Sequence, residues 1–226
     1  MSTDTAWEKI WDDVFTGRDW GRYPPEDLIR FVARNFYNRP DRKSVRLLEI
    51  GCGPGANIWY LAREGFSASG IDGSSVAIDR AQKRLADEKL SAALTVGDVN
   101  HLSKYYAAAS FDAVIDVCCL TCFTAAGISA ALKQVQTVLK PSGKVFSRMF
   151  GRGTWGDRLG TEIEPGTFTG IKDGPLAGIG RVHFATIDEA RALFGGFRNV
   201  EIETAHQSYA GRTKDVFSVI VTAEKA

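Results

Sequence analysis

Residues 51 to 55 read Gly-Cys-Gly-Pro-Gly and follow directly on the apolar run Val45 to Ile50. Where a buried parallel strand turns into a helix, the first amide N–H groups of that helix lack intrahelical partners and point into the crevice above the strand ends. Side chains at Gly51, Gly53 or Gly55 would hold a ligand away from these amides, and a positive φ in the turn is adopted most cheaply by glycine. The chemistry implied is close packing of a nucleotide-like group on bare main chain. Asp72, with Gly73 beside it, closes the next β-rich run, SASGID. A carboxylate at that strand end can accept both hydroxyls of a ribose, each charge-assisted bond contributing roughly 1.5–3 kcal/mol, and would repel a 2′-phosphate. Gly51, Gly53 and Ala56 also satisfy G-x-G-x-x-G/A with Asp72 at a suitable distance, so a nicotinamide dinucleotide is a second reading of the same residues.

These groups require a strand, a tight turn and a helix, repeated. Between residues 45 and 150, Val45 to Ile50, Ser67 to Ile71, Ala93 to Gly97, Phe111 to Val117 and Lys144 to Phe150 read as strands. Helical periods fall at about 55 to 64, 74 to 87 and 124 to 139, with Ile78, Ala81 and Leu85 on one face of the second and Ser74 as its cap. Such alternation needs crossover connections, which predicts an α/β fold: a Rossmann-like, doubly wound, mostly parallel sheet with helices on both faces. Asn199 to His206 and Val216 to Thr222 read as an antiparallel C-terminal hairpin that completes seven strands, after a helix capped by Thr186 and running through Phe194. The stretch 150 to 185 is too rich in glycine and proline for a regular element and is expected as an insert on the substrate side. In front, Trp7 and Trp11 stand one helical turn apart, with Val14 and Phe15 extending the stripe. This pattern suits core packing. The segment DWGRYPPEDLIRFV, containing Tyr23, leads into a helix starting at Pro24 and Pro25 and reads as an aromatic flap. One domain over 1–226 is expected: a helical lid (1–40), a cofactor-binding core (45–150), the insert (150–185), and a C-terminal helix and hairpin (186–226).

The charge balance of +1 supplies no long-range field to gather nucleic acid or anionic lipid, so neither is an expected partner and a small molecule is. No stretch approaches the ~20 apolar residues of a membrane span, and the first residues lack the pattern of a secretory signal, so a cytoplasmic location is expected. Cys52, Cys118, Cys119 and Cys122 are then expected as thiols. No metal is predicted, because Cys118 and Cys119, adjacent on a strand, point to opposite faces.

The run Glu49-Ile-Gly-Cys-Gly-Pro-Gly, with Asp72, Gly97-Asp98-Val99, the fourth strand FDAVIDV and the turn Leu139-Lys140-Pro141-Ser142-Gly143, resembles the class I S-adenosylmethionine-dependent methyltransferases over about residues 45 to 150. The resemblance implies S-adenosylmethionine as cofactor, leaving as S-adenosylhomocysteine, held by Glu49, Gly51, Cys52, Gly53, Gly55, Asp72 and Gly73. It further implies that Asp98 bonds the adenine amino group, that Val99 flanks the ring, and that Asp116 faces the methionine part and the substrate. The activity implied is methyl transfer to an oxygen or nitrogen of a small molecule. An NAD-dependent oxidoreductase and a binding-only nucleoside module are the alternatives.

For a hydroxyl acceptor, a histidine near neutrality would serve as base. His183 in GRVHFAT is the candidate, since it follows the insert on the ligand side of the sheet. His101 is expected near the adenine edge, and His206 at the end of strand six. Tyr23, Arg148 and Arg181 are candidate substrate contacts, the arginines through a bidentate fork to an anionic group.

Overall fold

The computed structural model describes residues 9–226. Trp7, and with it half of the tryptophan pair, lies outside the described residues.

Seven strands form one sheet in the order β3-β2-β1-β4-β5-β10-β9. Strands β1 (Arg46–Ile50), β2 (Ser67–Asp72), β3 (Ala93–Val96), β4 (Phe111–Val117) and β5 (Leu139–Phe150) run parallel, while β10 (Lys214–Glu224) pairs antiparallel with both β5 and β9 (Arg198–Tyr209). The doubly wound sheet and closing hairpin read from the sequence are therefore present. The fifth strand begins earlier than its sequence suggested: Leu139 already pairs with Phe111, and the register slips before Ala113 pairs with Lys144. The slip takes up the turn at Pro141 to Gly143, where Ser142 adopts φ 60°.

Side chains alternate along a strand, so successive residues of β1 feed opposite faces. Leu47 packs with Leu28, Phe31, Ile58 and Leu61 under helices α2 (Glu26–Phe36), α3 (Ala56–Arg63) and α4 (Ser75–Asp87). Leu48 packs with Ile128, Leu132 and Phe194 under α5 (Ala125–Val138) and α6 (Ile187–Leu193). Two apolar layers thus hold the strand ends in place. The helix starts were legible because their caps are local: Ser74 Oγ accepts from Ala77 N, Thr124 Oγ1 from Gly127 N, and Thr186 and Glu189 form a reciprocal capping box.

The stretch 150 to 185 departs from expectation. It contains a three-stranded antiparallel sheet, β6 (Thr161–Glu164), β7 (Thr167–Thr169) and β8 (Val182–His183). Strands of two to four residues leave little periodicity to read, and the glycines between them obscure it. Phe168, Ile171, Leu176, Ile179, Val182 and Phe184 of this sheet and its loops bury against Val14 of α1 (Ile10–Gly17), so the N-terminal helix and the insert share one small core.

Candidate active site

The turn after β1 lies at the floor of a cavity of about 310 Å³. Gly51, Gly53 and Gly55 all adopt positive φ, at 62°, 49° and 80°. A Cβ on Gly53 would project toward the aromatic roof, 3.5 Å from Phe15, into space the bare turn leaves open. One on Gly55 would come within 2.8 Å of Ala81 on α4. Gly53 therefore shapes the cradle, whereas Gly55 permits α3 and α4 to approach and does not line the cavity.

Asp72, at the tip of β2, accepts from Gly53 N through Oδ2 (2.8 Å) and from Ser74 N through Oδ1 (2.9 Å). The carboxylate is tied to the cradle and keeps lone pairs for a ligand. Burial pushes its pKa up, and the two amide bonds offset part of that. Glu49, on the α3 face of β1, accepts 2.6 Å from Asn57 Nδ2 through Oε1. Its Oε2 and Asn57 Oδ1 are buried without a partner in the protein, and both residues line the cavity. Burial drives the Glu49 carboxyl well above the carboxylate range, with Asp72 and Asp116 adding to the rise and Asn57 opposing it. Two orphaned acceptors on residues of the cavity wall call for a ligand rich in donors.

Asp98, Val99, Cys52 and Gly73 also line the cavity. Asp98 Oδ1 accepts from Asn100 N, and Oδ2 lies 3.1 Å from His101 Nδ1. His101 thus sits beside Asp98, half out in solvent. These residues fit S-adenosylmethionine: Asp72 suits ribose hydroxyls, Asp98 and Val99 a base edge and face, and Glu49 with Asn57 an ammonium group.

Several expected site residues are placed elsewhere. Asp116 does not reach the cavity. Its Oδ1 accepts from Cys119 N (2.8 Å) and Leu120 N (3.0 Å), and its Oδ2 from Ser147 Oγ (2.5 Å), so it shapes the turn behind the cavity wall. Burial raises its pKa to about 6, against the lowering effect of these three bonds. His183 is fully buried in β8, with Nδ1 2.8 Å from Thr167 Oγ1 and Nε2 3.1 Å from Glu189 Oε1, and it ties the insert to the start of α6. That position corrects its expected role as a base, because neither nitrogen faces the cavity. Arg148 is committed to Asp27 (3.2 Å) and Ser218 Oγ (3.1 Å), and the Arg181 Nε–H donates to Cys122 O (2.9 Å). Neither guanidinium lines the cavity, for each is held by partners that the sequence separates widely. His206 pairs with Asp215 (2.6 Å) on the β9–β10 hairpin and stacks on Phe217. Tyr23 does line the cavity, at its rim and mostly exposed.

A cover was expected from the 1–40 lid and the aromatic flap, whereas the part that Trp11 and Phe15 take in it was not. Trp11, Phe15 and Trp20 pack together with ring centroids 5.2 to 5.9 Å apart and face the cradle, while Val14 and Phe15 are buried, so the stripe is core, as read, and also a cover. It is anchored by Ser74 Oγ donating to Asp12 Oδ1 (2.5 Å), by Arg80 donating to Phe15 O, and by Arg18 donating to Ala177 O (3.0 Å). The available signal was the i, i+4 spacing of Trp11 and Phe15 beside a glycine turn needing a lid. Asn57, also missed, carried no local signal.

The family described as "Methyltransferase domain" matches residues 47–143. The tRNA N(3)-methylcytidine methyltransferase trm140 of Schizosaccharomyces pombe is 29% identical over 157 residues, covering 64% of this chain and 50% of that protein. The uncharacterized methyltransferase YodH of Bacillus subtilis is 28% identical over 100 residues, 44% of this chain and 41% of its own length. The chain thus spans half or less of the length of these relatives. A solved structure of a SAM-dependent methyltransferase from Methanosarcina mazei superposes with a TM-score of 0.66 at 25% identity, covering 80% of this chain and 92% of that one. With the strand order, the glycine cradle and the acidic residues at the tips of β1 and β2 already in place, the chain shares the fold of the class I S-adenosylmethionine-dependent methyltransferases and is similar to them over the matched core.

Proposed function

We propose that this protein transfers a methyl group from S-adenosylmethionine to a nitrogen or oxygen of a small-molecule acceptor. The observation that carries the reading is a covered cavity over the cradle. Its roof is Trp11, Phe15 and Trp20, its far wall Pro175, Leu176 and Ile179 of the insert, and no lysine, arginine or histidine lines it among the described residues. A polynucleotide acceptor needs cations for its phosphates, and this cavity offers none. The relative named as a tRNA methyltransferase is matched over only half its length.

The bound cofactor supplies an activated methyl group on a sulfonium, so the protein's share is alignment and exclusion of water. Asp72, held in place by the Gly53 amide, would hold the sugar end, Glu49 and Asn57 the amino end, and the rings above would shut out solvent. Isothermal titration with S-adenosylhomocysteine and NAD, followed by a methyl-transfer assay on a small-molecule library and on total tRNA, tests this reading. Binding of S-adenosylhomocysteine alone, with turnover in the library, is the expected result. Turnover only on tRNA would overturn the acceptor assignment, and NAD binding the cofactor assignment.

A further inference from the structure

The acceptor end of the cavity is formed by Val117, Cys118, Cys122, Phe123 and Phe150 at the ends of β4 and β5, by Leu176 and Ile179 of the insert, and by Tyr23 and the tryptophans of the roof. Thr121 adds a hydroxyl to this wall, and its Oγ1 already accepts from Phe150 N (3.1 Å). Three physical consequences follow from this lining.

An anionic group on the acceptor would be buried with no cationic side chain lining the cavity among the described residues, Arg148 being paired with Asp27. A hydroxyl acceptor would lack a group to take its proton, because no carboxylate or imidazole stands at this end among the described residues. The thiols do not serve either. Burial and the nearby Asp116 push Cys118 up to about 12 and Cys119 well above the ordinary thiol range, although both keep part of their surface toward the cavity. Cations, in contrast, are favoured. Trp11, Trp20, Tyr23, Phe123 and Phe150 line one space, and aromatic rings attract quaternary and protonated nitrogen over their faces.

Resting on the methyl-transfer reading above, we infer that the acceptor is an amine with an apolar body and no anionic group, and that the aromatic wall stabilises positive charge on its nitrogen during N-methylation. The nitrogen lone pair forms the C–N bond as the C–S bond breaks and its electron pair returns to sulfur. The acceptor reacts as the free amine, having left its proton in solvent on entry; the positive charge then moves from sulfur to nitrogen within the cavity, and the methylated ammonium product gives up any remaining proton to solvent on release. No protein base is required.

The test reads binding, not turnover. With S-adenosylhomocysteine saturating, benzyltrimethylammonium, its carbon isostere neopentylbenzene, and phenylacetate are titrated against tryptophan fluorescence and by calorimetry. The cation is expected to bind at least tenfold more tightly than the isostere, and phenylacetate more weakly than both. Tyr23→Leu, at a mostly exposed rim position, and Phe150→Leu are each expected to reduce the cation-to-isostere ratio at least threefold. A ratio is unaffected by a general loss of binding. Binding of S-adenosylhomocysteine with no preference for the cation, or with phenylacetate preferred, would overturn this inference alone. A folded protein that ignores S-adenosylhomocysteine would overturn it together with the cofactor reading beneath it.

Discussion

Replacing Asp116 with asparagine removes a buried charge while leaving each hydrogen bond an available partner. Oδ1 accepts from both Cys119 N and Leu120 N, and an amide oxygen can do the same. Oδ2 accepts from Ser147 Oγ, whose hydroxyl can turn and accept from an amide NH₂ instead. Desolvation lifts the wild-type carboxyl from the ordinary 3.8 to about 6. At 1.36 kcal/mol per pH unit this corresponds to about 3 kcal/mol. The folded-state value lies above the unfolded one, so the stabilising contribution of the protonated form is fully present below pH 3.8 and is lost as pH rises through about 6. Wild-type stability is therefore expected to fall across this window through Asp116, and Asp116→Asn to lack that component. At pH 7.5 the variant should exceed the wild type by up to about 3 kcal/mol, with the difference vanishing near pH 4. Urea unfolding by circular dichroism from pH 4 to 8 measures it, and a gap of this size moves the midpoint by about 1 M. Asp116 also helps to raise Glu49, so the difference reports Asp116 together with its coupling to that carboxyl. Parallel pH profiles, or a variant less stable at pH 7.5, would refute the assignment of Asp116 as a desolvated turn-holder.

Three other perturbations probe the cradle and its cover. Asp72→Ala is expected to weaken S-adenosylhomocysteine binding at least tenfold by calorimetry, the scale set by charge-assisted bonds to a ribose; unchanged affinity would place the ribose elsewhere. Gly53→Ala puts a methyl into the cradle at φ 49°, and should cost about 1 kcal/mol in stability while reducing cofactor affinity more than tenfold; a variant that binds normally would show that the bare turn is not the contact surface. Asp12→Asn weakens the bond from Ser74 Oγ that ties the roof to α4, so trypsin should cut at Arg18 and Arg22 faster than in wild type, and S-adenosylhomocysteine should slow the cut in both. Equal cleavage of the two proteins, insensitive to the ligand, would remove the roof from the binding event.

Elements with local causes were legible from the residues alone. The glycine turn, the Ser74 and Thr186 caps, the acidic tip of β2 and the alternation of buried strands with amphipathic helices each arise from neighbours within a few positions, so their types and spacing suffice to read them. The insert's sheet escaped because its strands are too short to show a period.

The positions of side chains with long-range partners were decided only by the tertiary structure. His183, Arg148 and Arg181 have the chemistry of site residues, yet Glu189, Asp27 and the Cys122 carbonyl occupy them, and a sequence does not show which charge a long side chain will meet. Glu49 meets Asn57, and Trp11 meets Trp20 above Gly53, for the same reason. Sequence determined the cradle, because a turn's conformation is a local property of its residues. Folding decided the cover and the acceptor wall, since burial and charge pairing depend on what distant segments bring within a few ångströms.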